Sequence, residues 1–165
     1  MTIVVDVEVA DPGWFAAGDV DGLAQDVVAA TLTEVGARVH PDAEISIRLC
    51  GDDELRALNL AWRNKDKATN VLSFPAAAGN QGRLLGDIVI AFEYVSEEAR
   101  QAGRSLRDQL SHMLVHGLLH LLGFDHEDQS DAEEMEDLER RILAQLGIDD
   151  PYSDTVPVED LSISS

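Results

Sequence analysis

Three features predict an α+β domain, a small mixed β-sheet packed with helices: period-two strands early in the chain, a nearly continuous apolar strand near its middle, and capped helices in its second half. Ile3, Val5, Val7 and Val9 alternate with Asp6 and Glu8, the pattern of a half-buried strand. Over residues 19–36, Val20, Leu23, Ala24, Val27, Val28 and Val35 fall at helical spacing. Ile45, Ile47 and Leu49 then alternate with Glu44, Ser46 and Arg48 in a second strand. Asp52 or Asp53 is the expected N-cap of a helix running to about Arg63. Residues 71–74 read as a short strand stopped by Pro75, and residues 76–83 as a loop. Residues 87–92 are apolar enough to be a strand covered on both faces, with Asp87 at its start in a structural role. Helices are expected over 96–102, from a Ser105 cap to about Leu122, and from a capping box of Ser130 and Glu133 to near Gly147. The predicted order is βαβαββααα. Residues 1–152 form one domain in this reading, and residues 153–165 an acidic, disordered tail.

The composition bounds the chemistry. With 165 residues, 45% of them hydrophobic and 27% charged, the chain suits one ordinary core. Cys50 is the sole cysteine, so no intramolecular disulfide can form and a reducing compartment is expected. No apolar run approaches the roughly 18–20 residues that span a bilayer. The first residues carry acids where a signal peptide carries bases, so the expected location is the cytoplasm, with no membrane partner. The formal charge of −20 argues against nucleic acid, because phosphate binding needs local cations. That charge is uneven: residues 125–139 hold nine acids and no Lys or Arg. Two basic clusters stand apart, Arg63 with Lys65 and Lys67, and Arg100 with Arg104 and Arg107. Either can be a solvated face or a phosphate contact.

Four of the five histidines fall between positions 112 and 126. His116 and His120 lie four apart on a predicted helix, so they are rotated by only about 40° and displaced by about 6 Å, within reach of one ion. Gly123 can take a positive φ at the helix end and bring His126 back to the same point. A metal site is therefore expected on this helix and the following turn, with His116, His120 and His126 as ligands. Three imidazoles favour zinc or a similar borderline ion and leave a fourth position open. His112, one turn earlier, is a hydrogen-bond donor behind the site, a proton carrier, or structural. Asp125 either orients an imidazole or is a solvated acid.

The spacing H-x3-H-x2-G-x2-H also occurs in metzincin peptidases, where a glutamate general base follows the first histidine. Here that position is Gly117, which disfavours peptidase chemistry. With the histidine motif, residues 58–67 (LNLAWRNKDK), 69–75 (TNVLSFP) and 85–90 (LGDIVI) resemble the bacterial YbeY family of rRNA-maturation endoribonucleases, and residues 149–152 (DDPY) look like its ending. The resemblance covers roughly residues 45–152. It implies a zinc-dependent, single-strand-preferring endoribonuclease acting in 3′-end maturation of small-subunit rRNA and in ribosome quality control. It implies one zinc on the three histidines and a need for Arg63, whose guanidinium can fork onto phosphate oxygens. Ser73 either lines the cleft or ends a strand. The sequence departs from the family pattern at Ala68, where proline is usual, and at Asn70, where aspartate is usual. An amide is no base, so Asn70 is read as a positioning residue and the general base stays unassigned. The net charge suits delivery of the rRNA by ribosomal proteins or an assembly GTPase. Two alternatives stand beside this reading: a metallohydrolase on a non-RNA substrate, and a non-catalytic assembly factor with structural zinc.

Overall fold

A computed structural model describes residues 3–36, 39–76, 83–125 and 127–152. The elements follow the order β1 (Val4–Val9), α1 (Val20–Val35), β2 (Glu44–Cys50), α2 (Asp52–Arg63), β3 (Val71–Pro75), β4 (Leu84–Ala91), α3 (Phe92–Ala102), α4 (Leu106–Leu121) and α5 (Gln129–Gln145). Among the described residues the strands make one sheet in the order β1-β2-β4-β3. β1, β2 and β4 are parallel, and β3 runs antiparallel along the β4 edge. The fold is the mixed-sheet α+β arrangement that the patterning predicts.

One sheet face carries the main core. Ile45, Ile47, Leu49, Ile88 and Ile90 share one core there with Leu23 and Val27 of α1 and Leu114 and Leu118 of α4, and Ile142 of α5 joins it from behind those helices. α4 lies at the centre of this layer and is buried on almost every side, from Gln109 through Val115 and from Gly117 through Leu119. The other face is covered only at one end. There α2 sets Leu55 on Cys50, Leu72, Val89 and Ala91, and the rest of that face is an open trough.

Several boundaries differ from the sequence expectation, each through a contact distant in the chain. α3 begins at Phe92 rather than Ser96, because the Asp52 carboxylate accepts the Tyr94 N–H at 3.0 Å and caps it from α2. Glu93 returns the bond, accepting the Asp52 N–H at 2.8 Å, so the two helix starts cap each other. The N-cap position of α2 itself is Gly51, not Asp52 or Asp53. α5 is capped by Asp128, which accepts the Asp131 N–H at 2.8 Å, so Ser130 lies inside the first turn. Asp87 is not at a strand start: β4 reaches back to Leu84, and Asp87 sits mid-strand opposite Ser46 and Phe74. A 3₁₀ turn over Pro12–Ala17, absent from the sequence reading, buries Trp14 completely, and its indole N–H donates to the Cys50 carbonyl at 3.0 Å. The acidic tail, 153–165, lies outside the described residues.

Candidate metal centre and cleft

α4 carries His112, His116 and His120 on one stripe, a turn apart. The Nε2 atoms of His116 and His120 face each other at 3.2 Å. A tetrahedral zinc with Zn–N bonds of about 2.0–2.1 Å sets its nitrogens about 3.3–3.4 Å apart, so this pair fits such an ion. The helix ends at Leu121, and Gly123 takes φ 99°, the positive value expected of it at this helix end. His126 lies outside the described residues, and among those described no group of three or more His, Cys, Asp or Glu side chains converges as a metal cluster. Asp125 is exposed in that turn.

Behind the histidines stands a residue that the sequence reading passed over. Glu139 of α5 is fully buried. Its Oε2 accepts the His116 Nδ1–H at 2.7 Å, and its Oε1 accepts the His112 Nε2–H at 2.8 Å and the Tyr152 hydroxyl. Burial pushes this carboxyl up, but the hydrogen bonds and charge attraction of the two histidines outweigh it and take it down to about 2. Burial, with the Glu139 charge, pushes the Tyr152 phenol upward. A signal was available: Met135, Leu138, Glu139 and Ile142 share one helical stripe, and an acid on an apolar stripe is out of place unless paired. His112 thus sits behind the site as a donor to Glu139, with its Nδ1 buried and unpartnered among the described residues.

The histidine pair opens on a cleft of about 460 Å³, lined also by Asn59, Arg63, Lys65, Lys67, Asn70 and Ser73. Each rim residue is placed by local structure. Arg63 closes α2, its Nη2 donates to the Ser73 carbonyl at 2.5 Å on the edge strand β3, and its guanidinium lies 5.1 Å from the Phe74 ring centroid. Asn64 ends the helix at φ 58°, and buried Asn59 donates to the Lys67 carbonyl at 2.9 Å, pinning the turn that carries both lysines. The Ser73 hydroxyl donates to the Gly117 carbonyl at 3.0 Å, joining β3 to α4. Asn70 donates to Glu98 at 3.2 Å and accepts the Val71 N–H at 2.7 Å. The second basic cluster lies away from the cleft: Arg107 donates to the Ala17 carbonyl, Arg104 to Gln109, and exposed Arg100 pairs with Glu97. The open trough, about 840 Å³, shares Arg63, Ser73 and Pro75 with the cleft but is not lined by the histidines.

A family model described as endoribonuclease YbeY matches residues 15–147. The chain belongs to that family. A curated endoribonuclease YbeY of Methylocella silvestris is 46% identical over 97% of this chain and 92% of its own length. One from Azorhizobium caulinodans is 50% identical over 90% of this chain and 96% of its own. A solution structure of a Thermotoga maritima protein superposes with TM-score 0.55 at 22% identity, covering 98% of this chain and 99% of that one, and shares the fold. No helix among the described residues is long and apolar enough to cross a membrane.

Proposed function

We propose that the chain is a zinc-dependent endoribonuclease that cuts single-stranded RNA in 3′-end maturation of small-subunit rRNA and in ribosome quality control, with His116, His120 and His126 as metal ligands and Arg63 as the catalytic cation. One observation carries this reading beyond family membership: the paired Nε2 atoms of His116 and His120 and the Arg63 guanidinium line the same cleft. Zinc held there would supply Lewis acidity toward the scissile phosphate. Arg63, anchored by one N–H on Ser73, has others to fork onto phosphate oxygens and stabilise charge that develops at phosphorus. Lys65 and Lys67 hold the flanking backbone by charge, and Asn70 keeps its rim of the cleft tied to α3. Gly117 packs against Ile88 and Ser73, so a longer side chain at this position would press on the sheet rather than enter the cleft.

Residues 1–152 form the working unit in this reading. The cytoplasm is its place of action, and ribosomal proteins or an assembly GTPase deliver the RNA to an otherwise acidic surface. The test uses purified wild type, His120→Ala and Arg63→Ala on a precursor rRNA fragment, with chelator and with zinc restored. Only metal-replete wild type is expected to cleave, while Arg63→Ala stays folded and retains zinc. Cleavage by Arg63→Ala at the wild-type rate overturns the role of that arginine.

A further inference from the structure

Behind the cleft, the core holds a group whose burial is strongly unfavourable by itself. A carboxylate with 0% of its surface exposed sits on α5 between Leu138 and Ile142, where leucine would serve packing better. Resting on the metal-centre reading above, we infer that Glu139 is the positioning residue of that centre and that the Tyr152 segment is the brace that holds it.

A neutral imidazole has one N–H and one lone pair, and only the lone pair can bind a metal. An ionised carboxylate is an acceptor only, so the 2.7 Å contact with Glu139 Oε2 requires the His116 proton on Nδ1. The lone pair is then on Nε2, the atom that faces His120 Nε2 at 3.2 Å. The stripe on α4 divides its work accordingly. Glu139 bridges its first two rungs, His112 and His116, and the metal pair is formed by its second and third.

The other oxygen is held equally firmly. Oε1 takes the His112 Nε2–H at 2.8 Å and the Tyr152 hydroxyl, so the carboxylate cannot turn away from His116. Tyr152 is itself fixed: its ring stands edge-on to His112 at 5.5 Å, Arg140 lies 5.1 Å over its face, and Arg140 reaches Asp150 at 3.2 Å. The DDPY ending thereby acquires a role, that of closing the back of the metal centre.

A purely structural ion pair would staple α5 to α4 without regard to which imidazole nitrogen carries the proton. Glu139→Gln separates the two roles. In either orientation an amide offers one acceptor and one donor to groups that both need an acceptor, so His112 or His116 must change tautomer or lose its bond. Zinc affinity is measured by competition with a chromophoric chelator for wild type, Glu139→Gln, Tyr152→Phe and His116→Ala. The cobalt-loaded proteins give ligand-field spectra, and long-range ¹H–¹⁵N spectra of zinc-loaded wild type report the His116 tautomer. The expected result is zinc bound about 10- to 100-fold more weakly by Glu139→Gln, with an altered cobalt spectrum. A smaller loss is expected in Tyr152→Phe, and an Nδ1–H on His116 in wild type. Affinity within threefold of wild type in Glu139→Gln with an unchanged cobalt spectrum overturns the inference. So does a proton found on His116 Nε2, a reading that needs no variant to fold. If His116→Ala binds zinc as tightly as wild type, the metal-centre reading itself falls; if only the Glu139 result fails, that reading stands.

Discussion

Gly117 follows His116, at the place where a different lineage of metalloenzymes has its general base, and the structure gives the reason for its small size. A Cβ at this position would stand 3.0 Å from Ile88 Cγ2 and 3.1 Å from Ser73 Oγ. The position faces the sheet, while His116 and His120 face the cleft. Gly117→Glu is therefore expected to gain no peptidase activity and to lose roughly 3 kcal/mol or more in urea unfolding, from overpacking together with a buried, unpaired carboxylate. A folded, stable Gly117→Glu protein would mean that the α4–sheet contact is looser than these distances require. The same scale shows what the sequence could reveal. His116 and His120 were legible because helical geometry alone brings positions four apart together. Glu139 was harder to see, since it is one of nine acids in residues 125–139, and in the sequence only its place on the apolar stripe of Met135, Leu138 and Ile142 sets it apart.

At the scale of elements, the cleft depends on how closely β3 approaches β4. Gly86 pairs with Pro75 at φ 141°, and a Cβ there would stand 2.4 Å from the Phe74 carbonyl oxygen and 2.9 Å from Leu121 Cδ2. The Phe74 oxygen is backbone and cannot move without shifting β3, and β3 carries the Ser73 carbonyl that anchors Arg63. Gly86→Ala should thus cost about 2–4 kcal/mol in thermal or urea melts, the sum of left-handed strain and overpacking. RNA cleavage should fall further than zinc content, because the displaced strand belongs to the arginine side of the cleft. Equal losses of zinc and activity would place the damage in α4 instead. Strand and helix identities were readable from alternation and caps, but boundaries were not. The start of α3 is set by Asp52, some forty residues upstream, and the 3₁₀ turn by the burial of Trp14; neither partner is visible in a local window.

For the whole molecule the question is how a chain of charge −20 holds an anionic polymer. The cations that line the cleft are Arg63, Lys65 and Lys67, and most of the nine acids of residues 125–139 lie on α5 or just before it. Beyond a Debye length of about 8 Å at physiological salt, exposed acids are largely screened, so local cations decide binding there. At low salt the acids reach further and repel RNA, which flattens the salt dependence. Above about 0.1 M, three phosphate contacts should give a log–log slope of binding against salt near −2, at about 0.7 per contact for single strands. An oligoribonucleotide mixed with the metal-free protein, which is expected not to cut it, allows the slope to be measured by fluorescence anisotropy. Replacing both Lys65 and Lys67 by alanine should bring it to about −0.7, leaving the Arg63 contact alone. A wild-type slope near zero over the same range would mean that the cleft cations do not touch phosphate, and RNA would then have to be held by a partner's cations rather than by this chain's.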